Sequence, residues 1–80
     1  MLVKRTVSLN AIDKVKEFVN LTSATELDVD LVSGRYVIDA KSIMGIFSLN
    51  LSKPIDLHVH AEFEEDATPY LKSIAKFLVD

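Results

Sequence analysis

Residues 55–62 alternate without a break. Ile55, Leu57, Val59 and Ala61 are apolar, and Asp56, His58, His60 and Glu62 are polar. Successive side chains of a strand point to opposite faces, so this run reads as a strand with one dry face and one wet face. Residues 26–32 repeat the pattern, with Leu27, Val29 and Leu31 set against Glu26, Asp28 and Asp30. Ser33-Gly34 is a turn signal, and Tyr36-Val37-Ile38-Asp39-Ala40 returns, which makes a hairpin. A sheet that is wet on one side must receive its helices on the other. The expected class is therefore α+β, an antiparallel sheet with all helices on its single apolar face.

The rest of the chain fits that frame. Val3, Val7 and Leu9 share a face across residues 2–9, with Lys4, Thr6 and Ser8 opposite, although Arg5 interrupts the inner side. Asn10 reads as a helix N-cap and Asp13 as a first-turn carboxylate that complements the helix dipole. Ile12, Val15, Phe18, Val19 and Thr22 then recur at helical spacing, predicting an amphipathic helix that ends near Leu21–Ala24. After the strand at 55–62, Glu64-Glu65-Asp66 reads as a solvated acidic link. Thr68-Pro69 reads as an N-cap followed by proline at the first helical position. Leu71, Ile74, Ala75 and Leu78 form the expected inward stripe of a last helix. The order is strand, helix, strand, strand, helix, strand, helix, within one domain spanning residues 1–80.

Composition narrows the function classes. Apolar residues make up 49% of the 80 residues, with only two Gly and two Pro, a globular balance. The net charge of -3 disfavours nonspecific nucleic-acid binding, which needs a basic surface to displace counterions. Apolar runs are too short to span a membrane. No apolar segment follows Lys4-Arg5, so no secretory signal is expected and the reading is cytoplasmic. Without cysteine there is neither a disulfide framework nor a thiolate nucleophile. No cofactor motif is visible.

One stretch is too apolar for its place. Ser42 stands where a helix would begin, and Ile43, Met44, Ile46, Phe47, Leu49 and Leu51 follow, closed by Lys53-Pro54. A helix of about three turns can bury one stripe of these residues. The expected split puts Ile46, Leu49 and part of Leu51 inward and leaves Ile43, Met44 and Phe47 as an outward patch, with Gly45 letting the helix pack closely. An exposed apolar patch at a helix start is a partner surface. The plainer alternatives are that Ser42 is merely a cap and that the whole stretch is core.

The run Lys41-Ser42-Ile43-Met44-Gly45-Ile46-Phe47-Ser48-Leu49 resembles the start of the second helix in HPr, the histidine-containing phosphocarrier family of the bacterial sugar phosphotransferase system. Length, element order and the Ser33-Gly34 hairpin match as well. The resemblance is clear over residues 27–62. It implies an open-faced sandwich of βαββαβα order, with a four-stranded antiparallel sheet and three helices on one face. It also implies a non-enzymatic protein that docks partners through the Ser42–Leu49 helix: an HPr kinase, a transcriptional regulator or a phosphotransferase-system enzyme. In the family, an ATP-dependent kinase modifies the serine that matches Ser42.

One departure stands out. The family's carrier histidine begins the first helix, followed by an arginine and a proline. Counting back from Asp28-Val29 places that histidine at Ala11, or at Asn10 with a one-residue slip, and the arginine near Asp13. No imidazole or guanidinium is present there to take or hold a phosphoryl group. The expectation is a regulatory or partner-binding protein with a degenerate carrier site at Asn10, Ala11 and Asp13, controlled by phosphorylation at Ser42. Two alternatives remain at this stage. One is a phosphocarrier with another acceptor. The other is a weak metal or pH-sensing module on His58 and His60, which share the wet face with Asp28 and Asp30. The ordinary reading of that face is a solvated surface with His–Asp pairs.

Overall fold

The computed structural model describes residues 1–79. Strand β1 (Leu2–Val7) leads to helix α1 (Ile12–Ser23), the hairpin β2 (Asp28–Ser33) and β3 (Tyr36–Asp39), and the short helix α2 (Ile43–Phe47). Strand β4 (Ile55–His60) and helix α3 (Glu64–Ser73) complete the order, and a 3-10 turn at Ala75–Phe77 follows. The four strands form one antiparallel sheet in the order β1-β4-β2-β3. This is the α+β class that the alternation predicts and the open-faced sandwich that the resemblance implies.

Register sorts the side chains onto two faces. Val59 pairs with Val3 and Val29, and Leu57 pairs with Leu31, so these residues line the helix side and are buried. On the other face Lys4, His58, Asp30 and Asp39 run across all four strands in one row. Against the dry face pack Val15 and Phe18 from α1, Ile46 from α2, Ala67 and Tyr70 from α3, and Phe77 beyond it. The Phe18 and Phe77 rings meet edge to face with centroids 5.9 Å apart, a favoured aromatic geometry. Thr22 lies buried among them, and its Oγ1 shares a 2.7 Å hydrogen bond with the Tyr70 hydroxyl. Burial pushes the Tyr70 phenol up to about 12 by disfavouring its charged form, against the smaller opposing effect of the Thr22 bond.

Several expectations need correction. Asn10 does not cap α1. The N-cap is Ala11, in extended conformation, and the Asn10 Oδ1 instead accepts a 3.0 Å bond from Lys14 Nζ. Ile12 is 64% exposed and leaves the predicted inward stripe, because the stripe is carried by Val15, Phe18 and Thr22. Helix α2 covers five residues and not three turns. The last helix starts earlier than Thr68-Pro69 predicts. The acidic run Glu64-Glu65-Asp66 is its first turn, where carboxylates offset the positive helix end, and Asp66 Oδ2 accepts from the Phe63 backbone N–H at 3.2 Å. Pro69 therefore sits inside the helix and cannot donate to the carbonyl one turn back. With the earlier start, the inward stripe becomes Ala67, Tyr70, Ile74 and Phe77. Ala75 is exposed, and Leu71 and Leu78 are half-buried.

The two sheet edges are finished differently. Beyond β1 the chain's C-terminal segment adds a partial strand. Val7 bridges Leu78, Ser8 N–H donates to Phe77 O at 2.8 Å, and Val79 N–H donates to Thr6 O at 3.0 Å. Among the described residues, no strand lies against the outer edge of β3. No helix among them is long and apolar enough to cross a membrane.

Candidate functional site

Helix α2 is built from its cap upward. Ser42 is extended, its Oγ accepts from Gly45 N–H at 3.2 Å, and its carbonyl accepts from Ile46 N–H at 3.0 Å. A tight turn sets its approach. Ser42 N–H donates to Asp39 O at 2.9 Å, and Lys41 N–H donates to Asp39 Oδ1 at 2.9 Å. Lys41 Nζ donates to Thr25 O at 2.8 Å, which ties the turn to the loop after α1. The Ser42 side chain stays exposed throughout.

Gly45 is what lets this short helix lie on the sheet. A Cβ built at Gly45 would stand 2.5 Å from Ile38 Cγ2 on β3, far inside ordinary carbon–carbon contact. Close seating in turn fixes which apolar residues face out. Ile46 and Leu49 are buried, and Leu51 is half-buried against the core. Met44 is 77% exposed and Phe47 40% exposed. Ile43, expected outward with them, is half-buried and packs on the core, so it forms the floor of the patch and not its crest. The outward surface is thus Ser42, Met44 and Phe47, held on a helix whose other side is anchored.

The N-terminus of α1 carries different chemistry. No side chain caps it, and the first closing bond runs from Val15 N–H to Ala11 O at 3.1 Å. Free amides at a helix start suit an anion. Beside them stand exposed Ile12 and the Asp13 carboxylate. The chain's histidines are His58 and His60, both on β4 and not at this helix.

On the open sheet face, His60 Nε2 lies 3.0 Å from Asp30 Oδ2, a diagonal pair across β4 and β2. A shallow cleft of about 460 Å³ is lined there by Asp28, Val29, Asp30, Asp39, Lys41 and His60. His58 lies in the row between Lys4 and Asp30. Among the described residues, no three His, Asp or Glu side chains converge in a way that could hold a metal ion.

Sequence reasoning passed over two features. The Thr22–Tyr70 bond was signalled by a hydroxyl in an apolar stripe, which needs a polar partner when buried. The solvent-facing Tyr36 and Val37 on β3 carried no signal beyond belonging to a return strand.

The model of a family described as the PTS HPr component phosphorylation site matches residues 12–80. Among solved structures, the chain is similar to HPr-C-His from Thermoanaerobacter tengcongensis, at 22% identity over 92% of this chain and 88% of that one, with a TM-score of 0.73. It is also similar to a phosphocarrier protein HPr from Bacillus anthracis str. Ames, at 24% identity over 98% of each chain, with a TM-score of 0.72. Comparison with curated proteins finds no match.

Proposed function

The chain belongs to the HPr family of the phosphotransferase system, and from that premise we propose that it is a regulatory, partner-binding member that does not carry phosphate on histidine. Proteins of this family interact with phosphotransferase-system enzymes. In this reading residues 1–80 act as one unit in the cytoplasm, docking partners through Ser42, Met44 and Phe47, with Ile43 beneath them. Phosphorylation of Ser42 is the switch.

The observation that carries the reading is the contrast between the two helix starts. At α2 an exposed serine adjoins Met44 at 77% exposure, on a helix anchored by Gly45 and Ile46. At α1 the segment Asn10-Ala11-Ile12-Asp13 has no imidazole to take a phosphoryl group in the family's manner and no guanidinium to hold one, and the Asp13 carboxylate adds a like charge. A phosphate on Ser42 would bring a charge of about -1.5 to -2 beside the patch. Partners that bury Met44 and Phe47 would then meet an anion at the rim, which alters affinity without refolding the helix.

Binding to an HPr kinase tests the surface. Met44→Asp places a charge on an exposed side chain and leaves the core untouched, so the variant should fold like the wild type and lose kinase binding at least about tenfold, since burying an unpaired charge costs more than 1.4 kcal/mol. Unchanged binding by Met44→Asp and by Phe47→Asp would remove this surface from the account.

A further inference from the structure

We propose that the free edge of β3 is a self-association site, where a second copy of this chain adds antiparallel about a two-fold axis at Val37. Among the described residues the edge is open, and it is four residues long. β3 bonds β2 on one side, while the opposite edge of the sheet, at β1, is covered by the bridge to Leu78 and the bonds from Ser8 and Val79. Natural edges are blunted by a very short strand, by charged residues or proline, or by a bulge, and of these β3 has its four-residue length and Asp39. Tyr36-Val37-Ile38-Asp39 contains neither lysine nor proline, and its pairing to β2 runs without a bulge from Asp39 to Tyr36. Tyr36 and Val37 are 66% and 64% exposed.

The hairpin turn decides which backbone groups are free. Ser33 pairs with Tyr36 across the two-residue loop Gly34-Arg35, and Gly34 has φ +59°, the first central position of a type II′ turn. The residues closing such a turn bond each other. Antiparallel alternation then directs the N–H and C=O of Val37 away from β2, toward the open edge.

One-sidedness of the sheet restricts the register, and the Asp39 carbonyl, already taken by Ser42 N–H at 2.9 Å, leaves the Val37 groups to pair with each other. Both copies must keep their helices on the same side of a joined sheet, so the two-fold axis stands perpendicular to it. Residues that pair must then face the same way. Val37 lies on the open face, opposite Val32, and meets its own counterpart. Tyr36 meets Ile38 of the second copy on the helix side, which covers an exposed ring and a half-buried branched side chain. Arg35 meets Asp39 of the second copy, and by symmetry this happens twice. The strand is therefore complementary to itself in charge and in apolar surface, in one register. A one-residue slip would put each copy's open-face residues on the other's helix side.

A four-residue edge buries much less than a standard interface, so the expected dissociation constant is on the order of 0.1–1 mM. Sedimentation velocity on the full chain, from about 10 µM to about 1 mM, should show a monomer–dimer equilibrium. Val37→Pro removes a donor aimed at the second copy and none of the bonds to β2, so it should fold normally and stay monomeric. Arg35→Asp and Asp39→Arg each replace two attractive pairs with two repulsive ones and should each weaken association about tenfold. Mixed together, these two variants should form a heterodimer as tight as the wild-type dimer, because both charge pairs are restored. A wild-type chain that stays monomeric at the highest concentration overturns the proposal. So does a Val37→Pro variant that associates like wild type, or a mixture that associates no better than its components. Arg35 is an exposed turn residue, so the Arg35→Asp and Val37→Pro arms decide the matter even if Asp39→Arg loses its local turn bond to Lys41 and unfolds.

Discussion

Replacing Gly45 with alanine should destabilise the protein by about 1–2 kcal/mol, even though alanine is the better helix former. The added Cβ would lie 2.5 Å from Ile38 Cγ2, 3.2 Å from Ser42 Oγ and 3.5 Å from Ser42 Cβ. Comfortable carbon–carbon contact begins near about 3.5 Å, so the helix and β3 must separate by about 1 Å. Neither neighbour yields easily. Ile38 is branched at Cβ and stiff at χ1, on a strand held by β2. Ser42 moves only by losing its bond to Gly45 N–H. Overpacking costs about 1–3 kcal/mol; a 2.5 Å approach to a stiff neighbour belongs at about 2–3 kcal/mol of that range, and the gain in helix propensity returns about 0.8–1 kcal/mol, which leaves about 1–2 kcal/mol. Urea unfolding reads the balance as a lowered midpoint at unchanged slope. Ile38→Ala supplies the control. It removes the clashing methyl, so Gly45→Ala added to Ile38→Ala should cost nothing or stabilise slightly, a coupling of at least about 1 kcal/mol. Gly45→Ala with wild-type stability, or with equal cost in both backgrounds, would refute the claim that this glycine seats α2 on the sheet.

The other predictions concern the cap, the patch and the core. Ser42→Ala removes the side-chain bond to Gly45 N–H and should cost about 1 kcal/mol in the same urea assay. Met44→Asp should leave the unfolding free energy within about 0.5 kcal/mol of wild type, since the side chain is exposed. Tyr70→Phe should cost about 1–3 kcal/mol because it strands the buried Thr22 hydroxyl, and Thr22→Val in that background should recover part of the loss. Tyr70 also makes stability pH-dependent. Its folded pKa of about 12 lies above the unfolded value of 10.0, so the unfolded chain loses its proton first. The contribution, on the order of 2–3 kcal/mol, is full below pH about 10 and is lost as pH rises from about 10 to about 12. The difference in unfolding free energy between wild type and Tyr70→Phe should shrink across that window, and a constant difference would contradict the assignment.

Strands with one buried face were the most legible elements. Ile55 to Ala61 and Leu27 to Leu31 alternate in sequence because each residue in turn meets either the helices or water, and both runs lie where the pattern predicts. Helix ends were less legible. Thr68-Pro69 has the chemistry of a helix start, yet three carboxylates at Glu64–Asp66 and the bond from Phe63 N–H to Asp66 begin the helix a turn sooner. Asn10 is an ordinary capping residue, but Lys14 one turn on takes its oxygen. At the candidate site the cap at Ser42 and the outward placement of Met44 and Phe47 could be read from residue type and spacing. The half-burial of Ile43 could not, because it depends on how closely Gly45 brings α2 to Ile38 across the chain. The open edge at β3 was hidden for a similar reason. Edge position follows from strand order, which alternation within a strand does not encode.

Phosphoryl transfer from two donors separates a serine-regulated binding protein from a phosphocarrier. The purified chain is incubated in parallel with ATP and an HPr kinase, and with phosphoenolpyruvate and the first enzyme of the phosphotransferase system, and intact and fragment masses are then read. A single phosphate on Ser42 is expected in the first sample, abolished by Ser42→Ala, and no acid-labile phosphate in the second. An unmodified Ser42 in the first sample, or a labile phosphate on any residue in the second, would contradict that expectation.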